Sequence, residues 1–254
     1  MNRFLRDTWL VFLRAMGQSL RNPIWTVVGL AQPVFFLFLF GPLLKAISHV
    51  SGFGDTNAYV VFVPGLLVQL GLYGAAMVGF GIIEEWRSGV IERMRVTPVS
   101  RAALLLGRSL RDVVTIVFQS IVMILLATTL GLSVSVGGAF VTIVLIALLG
   151  FAFSSASYAI GLTLKSEDAL APLMNFVVLP VMLLSGLLLP MALAPGWLRN
   201  VARVDPLRYT VDAARSLFHG SMASTQVLEG FLVTGGLAAL CVAIGVRTFQ
   251  RSQA

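Results

Sequence analysis

Few residues in this sequence could carry covalent or acid–base chemistry, and their spacing argues against most of it. The two histidines, His49 and His219, stand far apart with no motif-spaced metal ligand beside either, so no metal site and no nucleophile–base pair is indicated. A phosphate-cradling P-loop needs Gly-Lys followed by Ser or Thr. The only lysines, Lys45 and Lys165, follow Leu44 and Leu164. Cys241 is the single cysteine, which rules out a disulfide within the chain. What remains is one dense run of charge over residues 84–108, "EEWRSGVIERMRVTPVSRAALLLGR", in a chain that is only 11% charged. If the protein does vectorial work, its energy must enter from another subunit, and this run is the largest polar surface available to receive it.

The surrounding composition sets the elements that must position that surface. The 254 residues are 57% hydrophobic, with a mean hydropathy of +0.92. A water-soluble domain of this size needs far more charged surface, so an integral membrane protein is expected. About 20 apolar residues cross the hydrocarbon core as a helix. Six segments reach or approach that length: Ile24–Leu44, Ala58–Ile83, Val113–Val136, Gly138–Leu164, Ala169–Ala192 and Gln226–Val246. Pro33, Pro64, Pro172 and Pro180 fall inside them, which neighbouring helices in a membrane bundle tolerate. The net charge of +7 does not point to nucleic acid, because the basic residues lie between apolar runs and not in one patch. With the N-terminus placed in the cytoplasm, 13 of the 18 Lys and Arg residues fall on the inner side and 5 on the outer. That bias predicts both termini inside.

Residues 1–22 are too charged to cross. Read as a helix, Leu5, Trp9, Phe12, Met16 and Leu20 form one apolar stripe, with Arg3, Asp7, Arg14, Gln18 and Arg21 opposite. An amphipathic helix lying along the inner membrane surface is expected. The six segments as drawn hold no Asp, Glu, Lys, Arg or His except Glu229, near the outer end of the last. Ion-coupled carriers keep a titratable group at membrane depth, so a carrier is disfavoured, whereas a passive channel or a non-transporting scaffold stays open.

Within the charged run, Glu84/Arg87 and Glu92/Arg95 are i,i+3 pairs that support a short exposed helix by about 0.2–0.5 kcal/mol each. Pro98 disfavours helix at Thr97, so the chain is expected to turn there. Ser100 then suits the N-cap of the helix leading into the third span.

These residues resemble the cytoplasmic loop of ABC-2 type permeases, the membrane subunits of a class of ABC exporters. The matching positions are the acidic pair Glu84 and Glu85, then Gly89, Glu92, Thr97-Pro98 and Arg108. A second match follows the fifth span, where "LPVMLLSGLLLP", "APGWL" and "DPLRYTVDAAR" are similar to the family's outer motif. The likeness is greatest to the daunorubicin-resistance, drug-exporting branch.

The resemblance implies an all-α membrane domain over residues 1–254: an interfacial helix (1–22), spans one and two (24–83), a coupling region (84–108), spans three to five (113–192), a re-entrant outer segment (193–225) and span six (226–246). It implies that Glu84, Glu85, Arg87, Gly89, Glu92, Arg93, Thr97 and Pro98 dock on a cytoplasmic ABC ATPase, present in two copies. ATP and Mg would be bound by that ATPase and no cofactor by this chain. A second permease copy, or a similar chain, would complete a path for a lipophilic cargo, lined by Gln69, Tyr73 and Met77 of span two and Asn175, Met182 and Ser185 of span five. Gly186, Pro190, Asp205, Pro206, Arg208, Asp212 and Arg215 would form an outer gate, with Arg208/Asp212 and Asp212/Arg215 as helix-stabilising pairs. The expected setting is the bacterial plasma membrane.

Overall fold

A computed structural model describes residues 3–47, 58–95, 99–187, 191 and 194–251. Its elements are α1 (Arg3–Arg21), α2 (Ile24–Ile47), α3 (Ala58–Ala76), α4 (Val78–Arg87), α5 (Val90–Arg95), α6 (Arg101–Thr129), α7 (Val136–Leu164), α8 (Glu167–Leu184), α9 (Gly196–Ala202), α10 (Pro206–Phe218) and α11 (Thr225–Arg251). No strand occurs among the described residues. Among the described residues six stretches are long and apolar enough to cross a membrane, the second of them formed by α3 and α4 together.

Polar residues set the helix boundaries. Ser100 caps α6, its hydroxyl accepting from the Ala103 N–H at 3.2 Å, as its position before the apolar run predicts. Ser135 caps α7 in the same way through the Gly138 N–H. Because α6 already begins at Arg101, the third span is longer than the sequence reading, which started it at Val113. Arg108, Arg111 and Asp112 therefore lie on the spanning helix itself. The fifth span, in contrast, stops early. Gly186 takes φ +71°, a conformation open to glycine, and ends α8 well short of Ala192.

α3 is the central helix, buried along almost its whole length and touching α2, α6, α7, α8 and α10. The bundle has two distinct ends. At one, Arg101 donates to the Gln250 carbonyl at 2.7 Å, joining the start of α6 to the finish of α11. Arg87 reaches Glu167 there, joining α4 to α8. This is the elbow end, because it carries α5. At the other, the cap end, α10 packs across α3, α7 and α11. α1 docks on α6, where Gly107 admits the Thr8 carbonyl and the Val11 side chain. Its apolar stripe divides: Leu5, Trp9 and Leu20 stay exposed, whereas Phe12 is buried. The exposed part is the face a membrane surface would cover.

Span two is not one helix. It breaks at Met77, between α3 and α4, and Ser157 of α7 fills the break. The Ser157 hydroxyl donates to the Ala76 carbonyl at 2.5 Å and accepts from the Gly79 N–H at 2.9 Å. The Phe80 N–H meanwhile closes a tighter turn on the Met77 carbonyl. A side chain inserted into the backbone ladder is a recognised cause of a helix kink. The insertion requires close approach, and the Gly79 and Gly161 backbones supply it. A Cβ on Gly161 would meet the Gly79 carbonyl oxygen at 2.7 Å. Gly81, two residues further along α4, faces open space.

A contrast follows for the two glycines. Gly161→Val should lower stability in detergent by about 1–3 kcal/mol, the usual cost of overpacking. Gly81→Ala should leave it unchanged or raise it by about 0.5–1 kcal/mol through lower backbone entropy in the unfolded chain. Denaturant unfolding in mixed micelles, followed by circular dichroism, reads both.

Candidate coupling site and helical cap

The charged run folds as two short helices and a turn, not as the single helix expected up to Thr97. Gly89 takes φ +70° and separates α4 from α5. Ser88 helps close the turn, its hydroxyl donating to the Glu85 carbonyl at 3.2 Å. Beyond it, Ile91 is only 5% exposed and inserts among Ile82, Leu104, Leu105, Tyr158, Leu162 and Phe249. One apolar side chain thus pins α5 to the bundle and leaves Arg93 at the surface, where its guanidinium donates to the Ser88 carbonyl at 3.3 Å. Thr97, Pro98 and the side chain of Glu92 lie outside the described residues.

The acidic pair at the foot of α4 divides its work. Glu84 points outward, exposed, with no ion pair among the described residues. Glu85 turns inward and meets Arg108, whose side chain is 8% exposed. The expected Glu84/Arg87 pair does not form. Arg87 instead reaches across to Glu167 at 3.0 Å, and Lys165 lies 5.1 Å from the Trp86 ring centre. These cross-chain partners hold α4 against the α7–α8 junction. An i,i+3 pair within α4 would have braced only α4.

Behind Arg108 lies a buried polar cluster that the sequence reading missed. Tyr158 donates to Asp112 at 2.6 Å, and Arg111 pairs with the other Asp112 oxygen at 3.0 Å. Ser109 and Ser155 approach to 3.3 Å beside them. The available signal was the Ser100 cap. A helix starting there carries Arg108, Arg111 and Asp112 at i, i+3 and i+4 on one face. Glu85, Arg108, Arg111, Asp112 and Tyr158 so link α4, α6 and α7 through charge-assisted bonds.

At the opposite end Arg215 does comparable work. Its Nε donates to the Val61 carbonyl at 3.2 Å, and its Nη2 to the carbonyls of Gly186 at 2.8 Å and Leu187 at 3.2 Å. Gly186 and Leu187 directly follow the C-terminus of α8, so the guanidinium satisfies loop carbonyls beside the partial negative charge of that helix end. Burial lowers the Arg215 pKa to about 10, which still leaves it charged at neutral pH. The Asp212/Arg215 ion pair expected from spacing is therefore absent. Asp212 pairs with Arg208, at 3.7 Å. Asp205 and Pro206 open α10, with the Asp205 carboxylate accepting from the Leu207 N–H at 3.0 Å. The second Asp205 oxygen is buried without a partner, and burial raises this carboxyl to about 6. Pro190 lies outside the described residues.

The six residues read as lining a path do not share one surface. Gln69 is 2% exposed within α3 and its Oε1 has no partner. Tyr73 and Met182 pack against the central core from α3 and α8. Met77 is exposed at the break, Ser185 is buried, and Asn175 is exposed with its amide bonded to the Ala171 carbonyl at 3.1 Å.

Apolar spans, a polar elbow at one end and a helical cap at the other are the anatomy of a multi-pass membrane protein. The chain belongs to the ABC-2 type transporter family, whose pattern matches residues 6–219. It is 27% identical over 221 residues to a protein of Cyanophora paradoxa named as the transport permease ycf38, an overlap of 86% of this chain and 76% of that one. It is 22% identical over 249 residues to a Mycobacterium tuberculosis protein named as the doxorubicin resistance ABC transporter permease DrrC, covering 96% of this chain and 89% of the relative. A more partial relative is the Escherichia coli protein named as the multidrug ABC transporter permease YbhR, 22% identical over 162 residues, 61% of this chain and 43% of that one. The chain is a membrane permease of an ABC transporter.

The two ion pairs of α4 should differ in weight. Glu85→Ala removes a charge-assisted bond to a buried guanidinium and should cost about 1.5–3 kcal/mol. Arg87→Ala breaks a half-exposed pair and should cost less than about 1 kcal/mol. Unfolding titrations of the two variants check the order. The cap predicts a pH dependence. Between about pH 4 and 6 the folded protein holds the Asp205 proton that the unfolded chain has released, so stability from this group falls as pH rises through that window and is level above it. Asp205→Asn preserves the cap. It should remove this slope, seen as the difference between wild-type and variant unfolding midpoints at about pH 4.5 and about pH 7.

Proposed function

We propose that this chain is the membrane half of an ATP-driven exporter in the bacterial plasma membrane, with both termini in the cytoplasm. It pairs with a second permease copy or a similar chain, and with two copies of a separate ABC ATPase that bind ATP and Mg. Glu84, Glu92, Arg93, Thr97 and Pro98 meet the ATPase. Glu85, Arg87 and Gly89 hold the elbow in shape behind them. The cargo is lipophilic. Export of a drug-like compound accords with the doxorubicin-resistance name of one relative.

One observation carries this reading: the exposed elbow is mechanically continuous with the spans. A loop serving only to lie on headgroups needs no buried connection, yet Ile91 and the Glu85–Arg108 pair tie α4 and α5 into α6, α7 and α11. A push delivered at α5 then reaches span two below its break. The excess of Lys and Arg in the segments at the elbow end supports placing that end in the cytoplasm. The cap end, fastened by Arg215, is the outer gate of this scheme, with Gly186, Asp205, Pro206, Arg208 and Asp212 shaping it. Cargo moves along the open face of α8 by Asn175, and Gln69, Tyr73, Met182 and Ser185 join the path if α3 and α8 part.

The test is a joint Glu92→Ala and Arg93→Ala variant, co-purified with its cognate ABC ATPase. Cargo-stimulated ATP hydrolysis should fall by about tenfold, as expected for losing roughly 1.4 kcal/mol of contact. Intact complex formation together with intact stimulation would show that these residues do not couple the subunits.

A further inference from the structure

A cavity of about 80 Å³ lies at the elbow end between α1, α4, α6 and α7, with Gln18, Ser19, Gly81, Arg108, Arg111 and Tyr158 on its walls and the carboxylate of Glu85 among them, held by Arg108. It belongs neither to the exposed face of the elbow nor to the path residues of spans two and five. We propose that it binds the anionic head, phosphate or carboxylate, of an amphiphile whose tail lies in the adjoining membrane leaflet.

Three observations define the ligand. The first is size. An apolar cavity that holds benzene measures about 150 Å³, whereas one water needs only about 10–15 Å³ of probe volume. The space here exceeds a single water, and Gln18 and Gly81 on its walls are exposed, so it opens to the surface and admits one compact head group. The second is hydrogen-bond demand. The Arg111 Nε–H is buried with no acceptor, a state that costs about 1–3 kcal/mol unless something answers it. The half-buried Ser19 hydroxyl, on the α1 wall, also makes no side-chain bond among the described residues, and the exposed Gln18 amide stands beside it at the mouth. Asp112 is already committed to Tyr158 and Arg111, and Glu85 to Arg108. The ligand must therefore bring acceptors, and an anion brings most for its volume. The third is setting. α1 leaves Leu5, Trp9 and Leu20 exposed, and the first residues of α2, Ile24 and Trp25, are exposed as well. An amphipathic helix of this kind rests at the boundary between head groups and acyl chains. A head in the cavity thus leaves its tail beside an apolar surface.

The cavity also touches the break in span two. Val78, Gly81 and Ile82 line it, and Ser157 bridges the chain at Ala76 and Gly79 immediately above. An occupant bears on the segment that carries the elbow, so binding and coupling share one helix. That consequence rests on the transport reading, whereas occupancy of the cavity does not.

Two variants separate the possibilities. Gly81→Leu places a side chain into the open space over Gly81 and improves helix propensity, so folding is retained. Arg111→Lys keeps a cation beside Asp112 but deletes the Nε donor. The full chain is reconstituted in nanodiscs of mixed phosphatidylcholine and phosphatidic acid, without ATP or ATPase, and the lipid it retains is read by native mass spectrometry. Wild type should favour phosphatidic acid by about tenfold, the worth of one charged hydrogen bond. Gly81→Leu should bring the ratio to parity with a melting temperature no lower than that of wild type, and Arg111→Lys should fall between. No preference in wild type, or the same preference in Gly81→Leu, would overturn the proposal. Full displacement by inorganic phosphate would overturn the amphiphile in favour of a free anion. Since no ATPase is present, these results do not depend on whether the transport reading holds.

Discussion

A helix that bends inside hydrocarbon must find new partners for the backbone groups it frees, because no water is there to satisfy them. In this protein one hydroxyl does so on both sides of the break. Ser157 accepts from the Gly79 N–H and donates to the Ala76 carbonyl. The bond pair fixes where span two divides into a core segment, α3, and a lower segment, α4. It also fixes what α4 must lean on, because the contact needs α7 at glycine distance. Much of the elbow end follows. With α4 set against α7, Glu85 can reach Arg108, Arg87 can reach Glu167, and Trp86 can receive Lys165.

The two ends of the bundle use charge in different ways. At the elbow end, acids and bases on different helices pair with one another, and one buried isoleucine holds the exposed surface to the core. At the cap end a single guanidinium gathers backbone carbonyls from α3 and the finish of α8. The first arrangement joins rigid helices side by side. The second ties the segment after α8 and the first turn of α3 to α10 through one side chain.

Much of this was legible from composition and punctuation. Apolar run length identified six spans, and Ser100 marked the start of α6 because a cap needs only its own neighbours. The failures share a physical cause. Asp112 was missed because the third span was begun after the last charge, although a buried pair allows charge to enter the helix. The Glu84/Arg87 and Asp212/Arg215 pairs were inferred from spacing alone, but a nearby partner of the right sign loses to a better-placed one across the chain. Arg87 found Glu167, 80 positions away. Arg215 found backbone carbonyls, which every residue possesses and which leave no mark in a sequence. Gly89 was read as part of a motif, when its left-handed φ was what separated α4 from α5.

The central claim is that work enters this permease through α5. It is tested most directly by placing a photo-crosslinking residue at Arg93, on the exposed face of α5, and separately at Trp197, exposed on α9 at the cap end. In membranes that contain the partner ATPase, illumination should join the Arg93 position to that subunit and leave the Trp197 position unjoined. Capture at Trp197, or none at Arg93 while the complex remains assembled, would contradict the account.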